Sequence, residues 1–265
     1  MSLPSFIEQG RGGTAVLLLH GIGGGKSIWG EQGSGALAAL AAAGYRTLAL
    51  DFPGYGESLA LGEPSLDSMV RAVLALIDHA QAQRAVLVGH SMGGMVAQEL
   101  LKRAPQAVQG LVLTCTSPAF GKSDGAWQAR FVAERLAPLD AGLGMAGMAN
   151  LLVPGLVAPH ASASALESAR AVMSRVPEAT YRAALRAIAA FDRREALVDI
   201  RVPTLCLAAE HDHTASPEVM RRMAGRIPDA EFVCLGNAGH IANVEQPQAF
   251  NDTVLDFLQR HFPAR

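Results

Sequence analysis

The sequence predicts a doubly wound α/β fold, a mostly parallel sheet with helices on both faces and a helical cap inserted late in the chain. Three observations carry that expectation. Short apolar runs alternate with segments of helical period; the runs lack the polar alternation of a half-solvated strand; and one stretch, 118–199, contains no convincing strand at all. Continuous apolar strands are those of a parallel sheet covered by helices on both faces.

Taken in order, the strand-like runs are 15–20, 46–51, 85–88, 111–114, 204–209 and 231–235. Between them, 37–43, 66–80, 92–103, 217–226 and 247–261 read as helices. Pro217 and Pro247 open the last two, at the position where the missing proline N–H costs no intrahelical bond. The 118–199 stretch holds helical segments at 165–174 and 179–190, punctuated by Pro138, Pro154, Pro159 and Pro177. Residues 1–117 and 200–265 are therefore expected to form the core and 118–199 the cap.

Composition narrows the function classes. A chain of 265 residues, half of them hydrophobic, buries a sizeable interior and is not disordered. A formal charge of −2 gathers neither nucleic acid nor anionic membrane. No apolar stretch reaches the ~20 residues that span a bilayer, and no charged and apolar leader opens the chain, so a cytoplasmic protein is expected. Cys115, Cys206 and Cys234 lack metal-ligand or Cys-x-x-Cys spacing and are expected to be buried thiols. Oligomeric state is not legible.

The segment with most chemical content is Gly89-His90-Ser91-Met92-Gly93, placed between an apolar strand and a helix. A serine on such a turn needs backbone angles that crowd side chains two residues away, which glycine at 89 and 93 relieves. The helix that follows aims free N–H groups at charge developing beside Ser91 Oγ. In a doubly wound sheet, ligands bind beyond the carboxyl ends of the strands. Asp212 and His240 follow two further strands, and His20-Gly21-Ile22-Gly23-Gly24-Gly25 follows the first. A serine hydroxyl needs a base, for which His240 is chosen over the neighbouring His211 and His213, and the base needs a carboxylate. Asp212 is the better-placed acid, with Glu210 as competitor. The backbone N–H groups of Ile22 and Met92 are the expected oxyanion hole. The glycine run at 21–25, although Lys26-Ser27 follow it, does not have the placement of a phosphate-binding loop, whose first glycine would fall at His20. No metal or organic cofactor is needed by this scheme.

With His20-Gly21, Asp51-Phe52-Pro53-Gly54-Tyr55-Gly56-Glu57-Ser58 and Gly89-His90-Ser91-Met92-Gly93-Gly94, the chain order Ser91, Asp212, His240 resembles the α/β-hydrolase superfamily over nearly the whole length. Within it, Gly239-His240-Ile241-Ala242-Asn243-Val244-Glu245-Gln246-Pro247 and Arg201-Val202-Pro203-Thr204 resemble the 3-oxoadipate enol-lactonase branch. That resemblance implies the α/β-hydrolase fold and a small ester or lactone as substrate, opened through an acyl-enzyme. It also singles out Trp127 and Arg130, early in the cap, as substrate-binding residues. The same motifs occur in cofactor-free perhydrolases, in carbon–carbon bond hydrolases and in receptor-like members that mainly bind a ligand.

Overall fold

The computed structural model describes residues 3–31, 33–60, 62–121 and 125–264; of the expected cap, residues 122–124 lie outside the described set. Seven strands form one sheet: β1 (Phe6–Gln9), β2 (Ala15–Leu19), β3 (Arg46–Leu50), β4 (Ala85–His90), β5 (Val108–Thr114), β6 (Thr204–Ala209) and β7 (Glu231–Leu235). Their spatial order is β1-β3-β2-β4-β5-β6-β7, and all neighbours run parallel except β1 against β3. The central strands are largely apolar because both faces are covered: every residue of β2, β4 and β6 is buried.

Around the sheet lie α1 (Ala36–Ala42), α2 (Leu66–His79) and α3 (Met92–Arg103), with α8 (Pro217–Ala224), the short α9 (Ala242–Glu245) and α10 (Pro247–His261) after β6. Between β5 and β6 the chain runs through α4 (Ala126–Asp140), α5 (Gly144–Leu152), α6 (Ala163–Ser174) and α7 (Glu178–Ala189). Pro138 sits in the last turn of α4 without ending it. Chain direction across the sheet reverses at β2, which lies between β3 and β4. That switch point opens a crevice at the carboxyl ends of β2 and β4.

Three expectations are corrected. Strand β1 is an additional edge strand, only four residues long and half exposed, so it lacks an apolar run. Strand β7 is not covered on both faces; as the other edge it exposes Cys234, which is not a buried thiol, whereas Cys115 and Cys206 are buried. Strand β4 extends through Gly89 and His90, past the expected end at 88, because both pair with β5.

Candidate active site

Ser91 lies between β4 and α3 with φ 53° and ψ −117°, a left-handed backbone that L residues avoid. The turn fits only because its neighbours lack side chains. A Cβ on Gly89 would lie 2.6 Å from the Gly93 carbonyl oxygen, and one on Gly93 would lie 2.2 Å from that of Leu19. Four bonds hold the elbow: Ser91 N–H donates to the Thr114 carbonyl at 3.0 Å, and the Ser91 carbonyl accepts from Thr116 Oγ1 at 2.7 Å, Gly94 N–H at 2.9 Å and Met95 N–H at 3.2 Å. The strained residue is thereby fixed from strand, neighbouring strand and helix together.

The Ser91 hydroxyl stands 3.0 Å from His240 Nε2, and His240 Nδ1 stands 2.9 Å from Asp212 Oδ2. A carboxylate only accepts, so Nδ1 carries the proton and Nε2 is left to accept from Ser91 Oγ. Asp212 is buried, and its second oxygen accepts from Thr214 N–H at 2.7 Å and Ala215 N–H at 2.9 Å. Burial alone would push its carboxyl up, but the His240 imidazole and these N–H donors outweigh it and hold it at about 2. Glu210 is exposed and accepts from Asn237 N–H, away from His240. Its sequence position near Asp212 gives it no part in this relay.

Ile22 lies in the turn after β2, closed by Gly24 N–H on the Gly21 carbonyl at 3.0 Å, and Met92 begins α3. Among the described residues neither the Ile22 nor the Met92 N–H donates within the protein. Tyr55, fully buried, donates to the Ile22 carbonyl at 3.1 Å and fixes that peptide. Ser91, His240 and the glycine turn open on a cavity of about 150 Å³. Its walls are chiefly apolar: Met95 from the core, and Leu152, Leu156, Met173, Leu185 and Ile188 from the inserted helices.

Trp127 and Arg130 fall differently from expectation. Neither lines the cavity, and Arg130 is exposed. Trp127 stacks on Phe131 at 5.2 Å and meets Phe120 at 5.8 Å, so it backs two residues that do line the wall. The phase of α4 decides this: 127, 131 and 135 form one i, i+4, i+8 stripe, and position 130 points about 100° away from position 131. The stripe brings Arg135 to the cavity, its guanidinium 5.2 Å from the Phe131 ring centre and beside the Tyr181 hydroxyl. Among the described residues no carboxylate lies within 4 Å of Arg135. An aromatic, aromatic, cation series at helical spacing is the signal that marks it.

Cys115, expected from the sequence as a buried thiol, is buried and also belongs to the site. It follows β5 with φ 46°, is fully buried, lines the cavity and touches Asp212. Burial and that carboxylate push its thiol well up, so it stays protonated. No group of three or more His, Cys, Asp or Glu side chains among the described residues is arranged to hold a metal ion.

Two further histidines support the site as neutral groups. His20 donates from Nδ1 to the Gly21 carbonyl at 2.8 Å and accepts at Nε2 from Phe52 N–H at 3.1 Å; burial lowers it from 6.5 to about 4. His90 donates from Nε2 to the His240 carbonyl at 2.7 Å, and burial with repulsion from His240 lowers it to about 3. Unfolded, both take up a proton near 6.5, so their stabilising contribution is full above that pH and is lost as pH falls toward 4 and then 3. Each costs about 1.4 kcal/mol per pH unit in that window, so unfolding free energy from urea titration is expected to drop by roughly 3–4 kcal/mol between pH 6.5 and 5. A flat profile there would contradict neutral buried imidazoles. Asp212, depressed to about 2, has the same sign but loses its contribution only as pH falls through that value.

The sequence model of the α/β hydrolase fold matches residues 14–247. A Variovorax paradoxus protein assigned the name carbamate hydrolase RutD is 35% identical over 94% of this chain and 92% of its own. A pimeloyl-[acyl-carrier protein] methyl ester esterase of Pectobacterium atrosepticum is 27% identical, covering 95% of this chain and 96% of its own. Among solved structures, the enol-lactonase of Burkholderia xenovorans LB400 superposes with a TM-score of 0.81 at 28% identity, covering 96% of both chains. The fold, the residues matched and these relatives together place the chain: it is a hydrolase of the α/β-hydrolase family.

Proposed function

We propose that this hydrolase cleaves a small carboxylic ester or lactone by way of a Ser91 acyl-enzyme. The observation that carries the reading is the relay Ser91 Oγ, His240 Nε2, His240 Nδ1, Asp212 Oδ2, with links of 3.0 and 2.9 Å, at the rim of an apolar cavity. His240 takes the Ser91 proton as Oγ attacks the acyl carbon. Asp212, ionised down to about pH 2, holds the tautomer and stabilises the imidazolium. The oxyanion is held by Ile22 and Met92 N–H, each such donor contributing about 3 kcal/mol at the transition state. His240 then protonates the departing oxygen, and water releases the acyl group by the same route. In a lactone, the alcohol and acid stay in one product. Residues 118–199 act as the cap that excludes water from this step, on a core of 1–117 and 200–265.

The substrate carries a carboxylate, as 3-oxoadipate enol-lactone does. Arg135 supports this as a guanidinium that reaches the cavity wall with no carboxylate of the described residues within 4 Å. It takes the role expected of Arg130, and Trp127 supports the wall through Phe120 and Phe131. The names of the relatives span carbamate, methyl ester and enol-lactone, all acyl groups with a heteroatom leaving group.

The test follows loss of the enol-lactone by ultraviolet absorbance, with a neutral aryl ester in parallel. Lactone opening that needs Ser91 and far exceeds ester cleavage is expected. Arg135→Met is expected to lower kcat/KM about 10- to 100-fold for the lactone, the worth of a charge-assisted hydrogen bond, and less than about threefold for the ester. Equal losses on both would remove Arg135 from substrate recognition, and ester cleavage alone would discard the enol-lactone.

A further inference from the structure

His240 is gripped through its backbone as firmly as through its ring. Its N–H donates to the Leu156 carbonyl at 2.7 Å, and its carbonyl accepts from His90 at 2.7 Å. On either side, the N–H groups of Gly239 and Ile241 converge on one oxygen of Glu245, at 3.0 and 3.3 Å. The other Glu245 oxygen accepts from Ala158 N–H at 2.7 Å. Leu156 and Ala158 belong to the cap, and Leu156 also forms part of the cavity wall. The contact is too close for a side chain at 239, where a Cβ would lie 2.7 Å from Ala158 N and from the Leu156 carbonyl oxygen.

We infer that Glu245 is a positioning residue that ties the cap to the histidine loop, so that His240 faces Ser91 only while cap segment 156–158 is docked. The inference rests on the Ser91–His240 reading of the site. Three N–H groups point at one side chain, and only a group with acceptors alone satisfies them all. A glutamine of the same shape must turn its NH₂ toward at least one of these donors. One of the three anchors is then lost, and the loop loses its register with the cap. A displacement of about 1 Å at a catalytic group is enough to cost about 100-fold in rate.

Glu245→Gln and Glu245→Ala are assayed on the aryl ester beside wild type and Ser91→Ala. For Glu245→Gln, kcat is expected to fall about 10- to 100-fold with KM changed less than about threefold. The titratable groups around the His240 ring are Asp212, His90 and Glu245, with Cys115 beside Asp212. Losing the Glu245 anion is expected to move the acid limb of kcat/KM about half a pH unit lower, a shift that lost stability alone does not produce. Wild-type kcat and an unmoved limb would overturn the clamp. Should Ser91→Ala keep its activity, the hydrolytic reading itself fails, whatever the Glu245 variants do. Amide exchange on the intact wild-type protein needs no variant. Ala158, Gly239, His240 and Ile241 are expected to exchange as one unit, and free exchange of Ala158 beside a protected Gly239 would equally overturn the coupling.

Discussion

Ser91→Ala is expected to lower kcat by about 10⁵-fold or more on any ester or lactone the protein accepts, with the melting temperature nearly unchanged. The two halves of that expectation come from different atoms. Activity goes because Oγ is the only hydroxyl within reach of His240 Nε2 among the described side chains. The fold stays because every bond that fixes the elbow uses the backbone of residue 91: its N–H to Thr114, and its carbonyl accepting from Thr116, Gly94 and Met95. Alanine at φ 53° is as strained as serine and adds no volume, so no new strain enters. Residual catalysis from the Ile22 and Met92 N–H groups is expected, because in serine proteases loss of the nucleophile leaves such donors working. Steady-state kinetics and a thermal melt check both halves; activity within tenfold of wild type would remove Ser91 from the chemistry.

Asp212→Asn is expected to cost about 10⁴ in kcat, the loss that follows the same change in serine proteases. An asparagine keeps an oxygen for Thr214 and Ala215 N–H, so the loop after β6 retains its shape. It presents NH₂ to His240, which then carries its proton on Nε2 and offers Ser91 a donor where an acceptor is needed. Glu210 does not stand in, because it is exposed and accepts from Asn237 N–H. A variant with more than a tenth of wild-type kcat would show that another acid serves the base.

Sheet and site were legible to different depths in the sequence. Strands β2, β4 and β6 are buried on both faces, which gives each an apolar run of four or more residues. Strand β1 escaped notice because four half-exposed residues paired antiparallel at an edge carry no such run, and exposed Cys234 shows the same limit at the opposite edge. Residues 91, 212 and 240 were readable because strand ends in a doubly wound sheet converge on one crevice. The helices between β5 and β6 were not readable at that level. Whether position 130 or 135 faces the cavity depends on how α4 is rotated, and in this structure Trp127 and Phe131 pack against Phe120, which lies outside the helix. The motif that holds Glu245 does not show its link to the inserted helices, since one of its three partners, Ala158, lies 87 positions away in the chain. A bond from side chain to distant backbone leaves no local periodicity.

The central claim, that Ser91 carries the acyl group, is tested most directly by covalent trapping. Protein is mixed with an activated acetate ester, quenched in acid within the first turnover and mapped by peptide mass spectrometry. An acetyl increment confined to the peptide that carries Ser91, and absent after Ser91→Ala, is the predicted result. Acetyl on the Cys115 peptide instead, or ester turnover with an unmodified Ser91 peptide at every quench time, would contradict it.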